Sequence, residues 1–159
     1  MEGTLEIRKQ LSKHLESGAA FVPLEEMLNK ITFDSVGERP EKLPYSFYEL
    51  FYHIRFAQKD ILDYCKAEKY EFHNWPDDYW PKSAAPDDPA DWEQLKSDYF
   101  MERRQLSDFL LNPENDLLTP VRKGTKHSLL REILLVIEHT AYHNGQLLIV
   151  LRQLGLYSS

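Results

Sequence analysis

The chain has 159 residues, 42% of them apolar and 13% aromatic, enough for a single domain over residues 1–159 whose core needs no staples. A net charge of −7, with Lys and Arg scattered, argues against nucleic acid and anionic membrane surfaces, because phosphate recognition needs a basic patch. The one cysteine, Cys65, cannot close an internal disulfide. No apolar run approaches the roughly 18 residues of a membrane span, and the acidic start Met1-Glu2-Gly3-Thr4-Leu5-Glu6 lacks a signal-peptide core, so a soluble, cytoplasmic domain is expected. Cys65 itself reads as a buried apolar residue rather than a nucleophile.

Helical periodicity dominates. A first helix is expected over residues 3–16, with Leu5, Leu11 and Leu15 among charges and Ser17-Gly18 as its stop. Pro23 starts a short helix through Lys30, and residues 34–45, with Gly37, Pro40 and Pro44, read as loop. Ser46-Phe47-Tyr48-Glu49 fits a capping box, with Tyr45 and Leu50 as the accompanying staple, and opens a second long helix to about Ala67. Residues 69–90 form a long connection with Tyr70, Phe72, Trp75, Tyr79 and Trp80, too aromatic for a disordered linker. Asp91 is expected to cap a third long helix from Trp92 to Leu111, which Asn112-Pro113 ends. Ser128 opens the last helix, and Gly155 stands where a C-terminal cap belongs. Four long helices suit an all-α four-helix bundle, and the long connection between the second and third can let those two run parallel.

The last helix carries the turn Glu138-His139-Thr140-Ala141-Tyr142-His143-Asn144-Gly145-Gln146. His139 and His143, four residues apart, share one side of the helix. At about 100° per residue they point with Leu129, Val136, Leu147 and Val150, while Arg131, Glu138 and Arg152 fall on the opposite side. On the second long helix His53 shares an inward stripe with Leu50, Ala57, Ile61 and Tyr64. His14, His73 and His127 read as surface or loop histidines.

A lone inward histidine is ordinarily a hydrogen-bonded core residue. Three converging in one apolar bundle are harder to satisfy, since each ring leaves a nitrogen in need of a partner. Together they offer three neutral donors and an open coordination position. Histidine nitrogens suit Zn or Ni, and also Fe or Mn.

Such a site can lower the pKa of a bound water or take up a thiol as thiolate, and either use needs a proton-handling group nearby. Asp60 lies two turns from His53 on nearly the same helical direction, and Glu132 stands in that relation to His139. Each is a candidate catalytic base or second-layer partner, and each can equally be a surface or capping carboxylate. Tyr142 and Gln146 flank the histidines. Trp75, Tyr79 and Trp80 are expected to cap the bundle end as core, the other reading being one wall of a pocket above a metal.

The histidine of Glu49-Leu50-Phe51-Tyr52-His53-Ile54-Arg55, paired with a late His-x-x-x-His before Asn144-Gly145-Gln146, resembles the DinB/YfiT-like superfamily. The Trp75-Pro76…Tyr79-Trp80-Pro81-Lys82-Ser83 loop carries the likeness through the middle of the chain. The resemblance implies an up-down-down-up bundle, a divalent metal on His53, His139 and His143, and a homodimer. It also implies thiol-dependent transferase chemistry on a small molecule, with a low-molecular-weight thiol as cosubstrate, while a metal-bound hydroxide would make the site a hydrolase. The alternative is a noncatalytic metal- or ligand-binding bundle.

Overall fold

The computed structural model describes residues 2–158, and among them every regular element is helical. The α-helices are α1 (Glu2–Ser17), α2 (Leu24–Leu28), α3 (Phe47–Lys66), α4 (Pro89–Leu111) and α5 (Leu129–Gln153). Two 3₁₀ turns, Phe33–Ser35 and Asp77–Tyr79, lie in the connections. Among the described residues no helix is long and apolar enough to cross a membrane.

The ends of the long helices follow local chemistry. Ser46 Oγ accepts from the Glu49 amide at 3.1 Å, and Glu49 Oε2 accepts from the Ser46 amide at 2.7 Å, completing the expected capping box. Arg39 closes over the same carboxylate at 2.9 and 2.5 Å. Gly155 adopts φ +73°, where the Cβ penalty does not apply, and its amide returns to Arg152 O while that of Leu156 reaches Leu151 O at 2.9 Å.

The start of α4 differs from expectation. Asp88, not Asp91, is the cap: its carboxylate accepts from the amides of Ala90 and Asp91 at 2.7 and 3.0 Å. Pro89 explains the shift, because it has no N–H to orphan and its fixed φ suits the first helical position. Asp91 then falls in the first turn, where its charge is still favourable.

α3 packs on α4 and α5, and α1 packs on α4 and α5, so each long helix has at least two long neighbours. Two apolar clusters form the core. One joins Met27, Phe47, Phe51, Trp92 and Leu151, and the other joins Leu15, Leu62, Leu106, Leu129 and Ile133. Between these clusters along α3, α4 and α5 lies a band of buried polar residues: His53 and Gln58, then Glu102 and Arg103, then Thr140, His143 and Asn144. Cys65 belongs to the second cluster, and burial pushes its thiol up to about 12, which leaves it inert at neutral pH.

Arg103 ties this band together. Its guanidinium donates to Gln58 on α3, to the Leu15 carbonyl of α1 at 2.8 Å and to Thr140 on α5 at 3.0 Å. Burial pulls its pKa down, so the bonds must offset a desolvation cost. Arg103→Met keeps the side-chain length but leaves three acceptors without a donor. We expect a loss of about 2–4 kcal/mol in urea denaturation. An unchanged midpoint would show that desolvation cancels what the bonds return.

Candidate metal centre

His53 is nearly fully buried on α3, and its position is set from the connection between α3 and α4. Its Nδ1–H donates to the Tyr79 carbonyl at 3.1 Å, and its ring stacks on Trp80 with centroids 4.0 Å apart and planes 2° from parallel. Because the carbonyl can only accept, the proton sits on Nδ1 and the Nε2 lone pair is free. His143 is held in the same manner by its own helix, Nδ1–H donating to Gln146 Oε1 at 2.5 Å. Two rings thus present bare Nε2 atoms toward a common point. An oxygen acceptor behind each Nδ1 is the arrangement that orients histidine ligands and raises their basicity.

His139 completes the set from one turn earlier on α5. Its ring centroid lies 4.8 Å from that of His53 and 4.4 Å from that of His143. One ligand nitrogen from each of the three histidines falls within a 4.8 Å cluster. Nitrogens bound to one tetrahedral ion at about 2.0–2.1 Å sit roughly 3.3 Å apart. The His53 and His139 Nε2 atoms are 3.0 Å apart. With the His53 lone pair facing inward, that approach is attractive only if His139 Nε2 carries a proton or a cation lies between them. The donor set therefore fits a divalent transition metal.

Burial keeps all three rings neutral. Desolvation lowers His53 to about 4 and His139 to about 3, with the neighbouring imidazoles adding to the effect on His139, and it lowers His143 as well. Neutral imidazole is the form that ligates.

The histidines form the floor of an open cavity of about 470 Å³. Trp75, Trp80, Leu135 and Tyr142 make its walls, and Glu138 borders it. The aromatic connection is thus a pocket wall, contrary to the expectation that it only caps the core. Trp75 is 68% exposed, whereas a core-capping indole would be covered. Tyr142, also exposed, sets its ring edge-on to His143 at 4.9 Å. Glu138 is exposed, as its helical angle indicated, and it still borders the cavity. Leu135, one turn before His139, was not singled out by its sequence pattern, although spacing of four from His139 was the available signal.

Asp60 and Glu132 are not brought to this cavity. Both border a smaller neighbouring pocket of about 200 Å³. Asp60 accepts from the hydroxyls of Tyr70 and Tyr79 at 2.5 Å each, and with burial it pushes both phenols up. Glu132 is buried and faces Arg131 at 2.7 Å and His127 at 3.1 Å. Asp60 does reach the histidines indirectly, since the residue it anchors, Tyr79, supplies the carbonyl that orients His53.

The sequence model of the DinB superfamily matches residues 23–147, well over half of the chain, and the chain belongs to that superfamily. No curated protein and no solved structure gives a significant match.

Two expectations follow from this geometry. His53 and His139 have folded-state pKa values below the ordinary 6.5, so between that value and about 4 the unfolded chain binds more protons. The metal-free protein should lose thermal stability as pH falls through this window. His139→Gln should make the decline shallower in melting curves, and parallel slopes for both proteins would contradict the assignment. Asp60→Asn weakens the anchor behind Tyr79 and should raise the metal dissociation constant about tenfold in a chelator competition, a typical cost for losing an outer partner.

Proposed function

We propose that this protein is a divalent-metal-dependent enzyme of thiol-dependent transferase or hydrolase type, acting on a small molecule in the cavity above His53, His139 and His143. One observation carries the reading. Three neutral imidazoles converge on one point that is open toward a solvent-accessible pocket rather than sealed in the core. Structural metal sites are closed by a fourth protein ligand, whereas catalytic ones keep a position free.

His53, His139 and His143 would hold a divalent ion, which would supply Lewis acidity to a water or thiol when bound. Zn or Ni suits the all-nitrogen donor set, with Fe or Mn compatible. The chain's own residues do the rest. Tyr79 O and Gln146 Oε1 hold the Nδ1 protons of His53 and His143, so both rings keep their lone pairs inward. Trp80 fixes the plane of His53, and the apolar walls restrict water around the reacting groups. Asp60 acts as a positioning residue through Tyr79, and Glu132 holds the start of α5. The thiol in this reading is a low-molecular-weight cosubstrate, because Cys65 is buried in the core.

The same reading takes the fold as an up-down-down-up four-helix bundle. In its support, α3 and α4 both enter the first core cluster by their N-terminal halves and the second by their C-terminal halves, while α5 does the reverse. α1 runs against α4, since Arg8 meets the Leu110 carbonyl, Ser12 meets Ser107 and Leu15 meets Arg103. A homodimer belongs to this proposal too, on family grounds, and a cytoplasmic setting on the lone cysteine, Cys65.

His139→Ala removes one of three ligands. It should reduce bound metal, measured by mass spectrometry of the purified protein, at least about tenfold, with thiol-dependent turnover lost in parallel. Full activity without metal would overturn the proposal. If metal removal lowers only the melting temperature and a broad thiol and ester panel shows no turnover, the protein is a noncatalytic metal-binding bundle instead.

A further inference from the structure

The walls of the cavity carry information about what enters it. Trp75 and Tyr142 are both about two-thirds exposed, at 68% and 67%, and both border the same opening. Large aromatic faces left open to solvent at a pocket mouth cost hydration free energy unless something covers them. Their rings are not loosely placed. Trp75 packs edge-on against Tyr79 at 5.1 Å, and Tyr142 packs edge-on against His143 at 4.9 Å.

Charge narrows the choice further. Among the described residues that border the cavity, Glu138 carries the only formal charge, the three histidines being neutral. No Lys or Arg borders it. Arg131, two turns before Glu138 on α5, is directed to Glu132 at 2.7 Å. A carboxylate or phosphate on the distal part of a ligand would find no counter-charge at the rim. An ammonium would find both a carboxylate and electron-rich ring faces, the combination that recognises organic cations.

We propose that the cavity selects a flat apolar or aromatic ligand bearing a primary amine, its ring against Trp75 and Tyr142 and its ammonium at Glu138. The volume of about 470 Å³ suits a molecule of one or two rings. This proposal rests on the reading of the cavity as a substrate site, yet it depends on the rim rather than on the metal.

The test uses three probes of similar size, 2-phenylethylamine, 2-phenylethanol and phenylacetate, titrated against the full chain by quenching of tryptophan emission. The protein is measured as purified and after chelation, with circular dichroism to verify the fold. In the chelated protein the amine should bind about three- to tenfold more tightly than the alcohol, and phenylacetate most weakly. Glu138→Gln should abolish the advantage of the amine while leaving the alcohol unchanged. Tyr142→Ala, at an exposed position, should weaken amine and alcohol alike.

The proposal is overturned if phenylacetate matches the amine in the chelated protein, if Glu138→Gln leaves the amine-to-alcohol ratio intact, or if no probe binds at millimolar concentration. The chelated wild-type protein separates the two readings. The amine preference is read there without metal, while bound metal is measured on the protein as purified, so a failed metal assignment and a failed ligand assignment give different results.

Discussion

Three imidazoles within 5 Å of one another, all uncharged, are the constraint around which this fold is arranged. Desolvation forbids them from charging, and mutual repulsion would make a second proton costlier than the first. Neutrality in turn requires each ring to place its single N–H somewhere. The Tyr79 carbonyl and the Gln146 amide oxygen accept hydrogen bonds from two of those N–H groups, which turns the remaining lone pairs toward a shared point. A core built only of Leu and Phe would have no use for such an arrangement.

The helices cannot meet this requirement alone. His53 depends on a carbonyl and an indole from the connection between α3 and α4, residues far from α5 in sequence. That connection is itself anchored, with Asp60 holding the Tyr70 and Tyr79 hydroxyls and Arg122 donating to the Glu68 carbonyl at 3.0 Å where the chain leaves α3. Polar bonds to a helix surface thus hold an irregular segment in place, and that segment supplies both the second layer and the walls of the cavity. Below the site, Arg103 links α1, α3, α4 and α5 across the same polar band. Site and scaffold share one layer of the molecule.

Much of this was legible beforehand because it depends on short-range rules. The capping box at Ser46, the cap at Ser128 and the glycine stop at Gly155 are local, each decided within a few residues. The inward side of His53, His139 and His143 follows from helical periodicity. Even the one misplaced cap, Asp91 for Asp88, is a choice between two capping residues three apart, decided by Pro89. The candidate carboxylates were harder. Periodicity set Asp60 and Glu132 in line with the histidines, but two turns along the helix they border a different pocket, and periodicity says nothing of a tyrosine arriving from a loop.

The sequence by itself determined the helical class, most helix ends and the inward faces of the three histidines, because those depend on period and on nearest neighbours along the chain. Only the tertiary structure decided that His53 meets His139 and His143, that the aromatic connection walls an open cavity bordered by Glu138, and that Asp60 bonds Tyr79, whose carbonyl meets His53. The first depends on how α3 packs on α5, and the others on how an irregular segment lies across helices from which it is separated by many residues. No periodicity describes such a segment, and its place is settled by packing and by the hydrogen bonds it finds once the helices have assembled.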